Sequence, residues 1–324
     1  MTKILLITNK QDYTTDFVVK RLKKTEVDFY RLNTEEIGQS CFITLDFLKN
    51  AFRLYDKNLN QEFDLLSFTS VYFRRPELPE MPSEGLTPEE QMFVKAEHNQ
   101  FLEGLYKLLR NAYWISPIDA IKRAENKIYQ LSLAQELGFA IPESLITNEA
   151  ADFRKFCHDK ECIVKPIMSG QIGWPEMHEV VFTSSLEHTP DDEEIASCPS
   201  YLQRQIEKVY DIRLTIVGQK AFAVAIDSQI NAETRIDWRK GENLLPHRKI
   251  ELPHSLIRKC QKMLSVLELQ YGAFDFILDK FGNHYFLEVN PNGQWAWIEC
   301  QTGYDISGAI VNQLIKGSYY DKCI

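Results

Sequence analysis

Hydrophobic and polar positions fall into short, readable blocks along the chain. Lys3–Thr8 carries four consecutive aliphatic residues and reads as a buried strand. Thr14–Lys24 spaces Phe17, Val18 and Leu22 as a helix does, and Val27–Leu32 reads as a second strand, so the chain opens as a small α/β unit. Its first turn, Asn9-Lys10-Gln11-Asp12, holds no glycine with which backbone could cradle a phosphate. Residues 42–67 read as a meander and Ser70–Arg74 as a strand. That strand runs into Phe73-Arg74-Arg75-Pro76-Glu77-Leu78-Pro79, where the prolines impose an extended exit. A polar loop to Glu90 precedes an amphipathic helix over Gln91–Asn111, and a first boundary falls near Tyr113–Pro117.

Beyond it, a helix from Asp119 carries Lys127 and Leu131 to Leu137, with Gly138 as the residue after the C-cap. Ile141–Thr147 is extended, and Asn148 is a candidate cap for the next helix. Cys162–Ile167 is a strand followed by a Ser-Gly loop, Met168–Trp174, and Leu186–Ser200 reads as a mobile surface loop with room for a helical turn. Strands are expected at Tyr201–Ile206, Ile212–Val217 and Lys220–Ile226, and helices at Ser255–Leu269 and Gly303–Lys316. Between those helices, Ala273–Leu278 and His284–Val289 form a hairpin through Asp279-Lys280-Phe281-Gly282-Asn283. This order of elements predicts an α+β protein with several sheets.

Composition narrows the function classes. The 324 residues are 44% apolar and 26% charged, with 37 Lys and Arg against 46 Asp and Glu. A net charge of −9 gives no general support for nucleic-acid binding. No apolar run is long enough to cross a bilayer, and the start of the chain reads as a strand and not a signal peptide. Seven cysteines, an odd number without CxxC spacing, predict reduced thiols in a cytoplasmic protein with neither zinc nor a disulfide framework.

The hairpin carries the sharpest chemistry. If its turn centres between Phe281 and Gly282, Asp275 faces Glu288, and alternation puts Asn290 on the same face. Opposed carboxylates repel, and the apolar flanks Phe274, Phe276, Tyr285 and Leu287 make the sheet a buried one, where unpaired carboxylates are costly. Against a solvated hairpin face, this favours hard oxygen ligands for Mg²⁺, an ion that keeps waters and binds phosphate oxygens. Lys165, closing an apolar strand before a Ser-Gly loop, can then reach phosphate. Taken alone, Lys127 reads as a surface residue of a helix.

The ordered set of Lys127 in ENK, Gly138–Pro142 in GFAIP, Lys165 in VKP, Leu202–Ile206, Asp211-Ile212-Arg213, and Asp275 with Leu287-Glu288-Val289-Asn290-Pro291 resembles the ATP-grasp ligases, from Ser116 onward. Phe73-Arg74-Arg75-Pro76, Asp227-Ser228-Gln229 with Asp237-Trp238-Arg239, and Asn290–Trp295 make the chain similar to the graspetide (microviridin-type) peptide macrocyclases, relatives of the ligases that add glutamate to a ribosomal protein's tail. The resemblance implies a pre-ATP-grasp α/β domain at 1–115, a central ATP-grasp subdomain at 116–200, and a C-terminal subdomain at 201–324, the last two clasping ATP.

It implies roles as well. Lys127 and Lys165, with Ser169 and Gly170 of the loop, would hold the phosphates. Gln203, Gln205 and Ile206 would form the adenine hinge, although Arg204 stands where related ligases carry an acidic residue. Asp211 would take the ribose, and Asp275, Glu288 and Asn290 would hold two Mg²⁺ ions. Arg213 would meet the γ-phosphate or acyl phosphate, Arg235 and Arg239 would anchor the substrate carboxylate, and Arg74 and Arg75 are further candidates, of which one at most faces any single site. Trp238, Trp295 and Trp297 read as core residues. The implied partner of this cytoplasmic homodimer is a ribosomally made precursor peptide with leader and core segments, with no nucleic acid or membrane involved. Alternatives are a ligase joining a free amino acid to a carboxylate, and a nucleotide-binding regulator without turnover.

Overall fold

A computed structural model describes residues 2–79, 85–158, 161–168, 171–172, 179–180, 182–186, 188–241 and 245–320. The chain forms two compact units. The first comprises residues 1–118, 294–299 and 305–324, and the second 119–293 and 300–304.

The first unit is built on the parallel strands β1 (Lys3–Thr8), β2 (Asp28–Asn33), β6 (Ser70–Phe73) and β7 (Tyr113–Trp114), in the order β2-β1-β6-β7. Helix α1 (Tyr13–Leu22) links β1 to β2, and Asp12 caps it by accepting the Thr14 N–H. The meander forms as expected from β3 (Cys41–Asp46), β4 (Ala51–Asp56) and β5 (Gln61–Asp64). Leu54 and Phe63 of the meander share one core with Leu5, Leu32 and Val71 of the sheet and Leu105 of α2 (Pro88–Leu108). That helix begins three residues before its expected start, because Thr87 and Glu90 form a capping box around Pro88.

In the second unit the helix expected from Asp119 is two, α3 (Ile118–Ala124) and α4 (Lys127–Glu136). The side chain of Asn126 accepts the Tyr129 N–H and starts a new helix, so Lys127 is its first residue and not a mid-helix one. Gly138 follows the α4 cap with φ +71°. Strand β8 (Ser144–Thr147) leads to α5 (Ala150–Cys157), capped by Glu149 and not by Asn148. Next come β9 (Cys162–Lys165), the two-residue strands β10 (Gln171–Ile172), β11 (Glu179–Val180) and β12 (Ser184–Ser185), and α6 (Asp192–Ser197). The last is the helical turn for which the loop over Leu186–Ser200 left room; its signal is the capping box of Asp191 and Glu194.

Strand β13 (Ser200–Arg204) completes the sheet β12-β9-β13-β8. A five-stranded sheet follows, in the order β16-β15-β14-β17-β18, from β14 (Lys208–Val217), β15 (Lys220–Ile226), β16 (His247–Lys249), β17 (Tyr271–Asp279) and β18 (His284–Asn290), with α7 (His254–Val266) packed against β17. Phe139, Phe274, Phe276 and Phe286 cluster on one face of the hairpin with stacked, edge-to-face and tilted ring contacts.

The chain ends with α8 (Ala296–Thr302) and α9 (Ile306–Tyr320). Helix α9 returns to the first unit and packs on α1, β6 and β7, where Ser70 donates to the Leu314 carbonyl at 2.6 Å. Trp295, fully buried in that unit, is the core residue its apolar character predicts, and its indole reaches the Tyr72 hydroxyl at 3.3 Å.

Candidate active site

Three adjacent strands lay a row of charged side chains across the five-stranded sheet. Arg213 on β14 pairs with Asp275 on β17, which pairs with Glu288 on β18. Phe274 and Phe276 point to the opposite face and are fully buried, so Asp275 sits in a largely apolar strand. The facing of Asp275 and Glu288 has a different cause from the even hairpin expected. Near the turn Phe276 pairs with Phe286, and the register slips by one before Asp275 meets Glu288, leaving Leu287 as a bulge. Without that extra residue Asp275 would face Leu287.

The row is tightly bonded. Arg213 Nη1 donates to Asp275 Oδ2 at 2.6 Å, and Asn290 Nδ2 donates to Asp275 Oδ2 at 3.0 Å and Glu288 Oε1 at 3.3 Å. Burial raises the Asp275 carboxyl to about 6, with Glu288 adding to the rise and Arg213 opposing it. Burial pushes Glu288 the same way, but Lys127, Arg239 and Lys165 overcome it and leave that carboxyl below its ordinary range.

Those three cations come from three other elements. Lys127, at the start of α4, stands 3.6 Å from Glu288 and donates to the Pro166 carbonyl at 2.9 Å. Lys165, at the end of β9, lies over the ring of Tyr201, its cross-strand partner, and burial pulls its amine down to about 8. Arg239 Nη1 is 3.8 Å from Glu288 Oε1, and its guanidinium is gripped at Nε and Nη2 by the two oxygens of Asp237, at 2.8 and 2.7 Å. Asp237 is buried, and Thr183 donates its backbone N–H to the same carboxylate.

The remaining candidates occupy varied positions. Ser169 and Gly170 lie outside the described residues. Gln203 is buried, its amide donating to Ser144 Oγ and the Tyr201 hydroxyl. Gln205 and Ile206 span the link between β13 and β14, and the Gln205 N–H is taken by the Glu161 carbonyl. Asp211 is buried, paired with Lys208 at 2.7 Å and bonded to Ser228 Oγ at 2.5 Å. Arg235 is exposed, and among the described contacts its guanidinium meets none of the cluster.

Arg74 and Arg75 belong to the first unit. Arg74 is 1% exposed and pairs at 3.2 Å with Asp12, whose carboxylate also takes the hydroxyls of Thr8 and Thr15. Arg75 is exposed and holds the left-handed φ of +45°.

Two cluster residues had no role assigned from sequence: Asp237, quoted there only within Asp237-Trp238-Arg239, and Tyr201. Asp237 carried a signal, since Asp-x-Arg spacing occurs both at Asp211/Arg213 and at Asp237/Arg239. Tyr201 carried none, because its place under Lys165 depends on the pairing of β13 with β9.

Two carboxylates and an amide opposed in a half-buried row, ringed by cations, have the donor chemistry for a hard cation bridged to phosphate. Among the described residues no group of three or more His, Cys, Asp or Glu side chains is placed to hold a metal, so such an ion's other ligands would be phosphate oxygens and water.

Comparison with known proteins gives the same reading. Residues 3–122 match the family model of the MvdD pre-ATP-grasp domain. The RiPP-associated ATP-grasp ligase of Chryseobacterium gregarium, solved with ADP and a leader and core peptide, is 27% identical over 98% of this chain and 97% of its own, with a TM-score of 0.89. The chain is similar in sequence and fold to the ATP-grasp ligases. Macrocyclase MdnB from Microcystis aeruginosa MRC is 29% identical over 97% of the chain and 99% of its own, with a TM-score of 0.80. Macrocyclase MdnC from the same source, bound to precursor peptide MdnA, is 23% identical over 98% of the chain and all of its own, with a TM-score of 0.83, a likeness of fold. Among curated proteins there is no match. The resemblance of this chain to the peptide-macrocyclase branch therefore holds along nearly its whole length, including the first unit. Among the described residues no helix is long and apolar enough to cross a membrane.

Proposed function

We propose that this ligase uses MgATP to close rings in a ribosomally made precursor peptide, joining Asp or Glu side chains to Ser or Thr hydroxyls as esters or to Lys amines as amides. The observation that carries the reading is the row Arg213–Asp275–Glu288–Asn290 facing Lys127, Lys165 and Arg239. Mg²⁺, when bound, draws charge from the phosphate oxygens of ATP and orients its terminal group. Asp275, Glu288 and Asn290 would hold it, two ions if the related ligases are followed, with the Asn290 amide turning its oxygen inward. Lys127 and Lys165 would hold the phosphates.

The substrate carboxylate takes the γ-phosphoryl group and becomes an acyl phosphate, with ADP leaving. A hydroxyl or amine of the same peptide then attacks the acyl carbon and displaces phosphate. The attacking group belongs to the substrate, so the enzyme's task is to position and to neutralise charge. Arg213 is suited to the developing acyl phosphate, and Arg239, held flat by Asp237, to the incoming carboxylate. Gln205 and Ile206 would meet adenine through backbone, and Asp211 the ribose. Arg235, Arg74, Arg75, Ser169 and Gly170 remain candidate contacts, as do the three-part domain division and a homodimer. Leader recognition would lie outside this cluster.

The test is the intact mass of a candidate precursor peptide incubated with the protein, ATP and Mg²⁺, with Glu288→Gln as control. Loss of one water for each ring, absent in the control, supports the proposal. A gain in mass that needs an added amino acid would replace it with a free-amine ligase. Unchanged peptide with no ATP consumed would leave nucleotide binding alone.

A further inference from the structure

Val289 lies between the two β18 residues of the cluster, Glu288 and Asn290, with its own side chain buried on the opposite face. Its backbone N–H is accepted by Gln130 Oε1 at 2.8 Å, and its carbonyl accepts from Gln130 Nε2, also at 2.8 Å. The carboxamide thus pairs with Val289 as a residue of a neighbouring strand would. β18 is the edge of the five-stranded sheet, and the outer groups of an edge strand need partners once buried. The Phe286 N–H is met similarly by the Ala140 carbonyl at 2.8 Å.

Gln130 is itself fixed. It is 3% exposed, and Nε2 also donates to the Ala124 carbonyl at 2.6 Å, at the end of α3. On α4 it stands one turn after Lys127 and so shares that residue's face. One side chain therefore ties the backbone that carries Glu288 and Asn290 to the helix whose first residue carries Lys127. Rotation or slippage of either element would change the spacing between Lys127 and Glu288, now 3.6 Å.

We propose that Gln130 is a positioning residue: its carboxamide sets the metal-facing side chains of β18 against the phosphate-facing Lys127 of α4. The proposal rests on the functional reading above for what the two groups hold. Its geometry concerns only the backbone at Val289.

The experiment uses the full chain with Gln130→Met, which keeps the length and removes all three hydrogen bonds. Gln130→Glu is the second variant, keeping an acceptor for the Val289 N–H while an ionised carboxylate loses both donations to the Val289 and Ala124 carbonyls. Thermal melting establishes that each is folded. Calorimetry then measures ADP binding with and without Mg²⁺, and ATP consumption with precursor peptide is titrated against Mg²⁺. We expect MgADP affinity and the Mg²⁺ response to weaken about ten- to hundredfold, the range seen when supports behind metal ligands are removed. Binding of metal-free ADP and of peptide should change little. Native MgADP affinity and Mg²⁺ response in a folded variant overturn the proposal, and if Gln130→Met does not fold, the Gln130→Glu values decide. The calorimetry needs no peptide, so failure of the macrocyclase reading, seen as unmodified peptide with the native protein, is distinguishable from failure of this one.

Discussion

Arg213 and Asp275 are cross-strand partners, with Nη1 and Oδ2 2.6 Å apart, and the backbone of Gly293 closes over the same guanidinium. A Cβ at residue 293 would stand 2.8 Å from Ala273 Cβ and 3.2 Å from Arg213 Nη2, so glycine is needed for that approach. Arg213 is 7% exposed and its Nε has no hydrogen-bond partner, so the fork is held mainly at one end. Arg213→Lys keeps the charge and loses the planar fork. We expect single-turnover ATP consumption to fall about a hundredfold with cooperative melting retained. A native rate would remove Arg213 from the chemistry.

Asp275 gives a signed dependence on pH. Its carboxyl is raised from the ordinary 3.8 to about 6, so the folded state keeps the proton where the unfolded chain has lost it. Its contribution to stability is full below about pH 4 and fades as pH rises through about 6. Asp275→Asn, uncharged throughout, should melt higher than the native protein at pH 7 in the absence of Mg²⁺ and be inactive. Melting curves from pH 4 to 7 check this, and a lower melting temperature at pH 7 would contradict it.

Lys165 sets an alkaline limit. With its amine near 8, it loses charge as pH rises through that value, and attraction for phosphate goes with it. In kcat/KM for ATP, which reports the free enzyme, we expect an alkaline fall near pH 8. Lys165→Arg should abolish that fall while lowering the plateau. An unchanged fall in the variant would assign it to another group.

Asp237 orients Arg239 through two hydrogen bonds, and Asp237→Asn keeps the shape but accepts only one of them well. The expected effect is a rise of about tenfold in the KM for peptide with little change in the KM for ATP. Equal changes in both would place Arg239 on the nucleotide.

What was legible in the sequence depended on how local the cause was. Strands with consecutive aliphatic residues, such as β1, and the glycine after α4 are set by neighbours in the chain. The split between α3 and α4 was local too, but its signal was a single Asn inside an apparently continuous helical pattern. Asp275 facing Glu288 was expected from an even hairpin and arises from an uneven one, because a bulge at Leu287 is silent in residue type. Gln130 and Tyr201 were invisible for a different reason. Each acts through a strand distant in sequence, and neither residue type announces that partner.

The second unit is threaded as an insertion, with residues 119–293 leaving the first unit and returning to it before α9 docks beside β6. Load applied between Lys3 and Lys316 would fall first on β1 and α9, both in the first unit. In a pulling experiment, the charged cluster should bear no force until the first unit has torn, so that unit's rupture should be the earlier of two events.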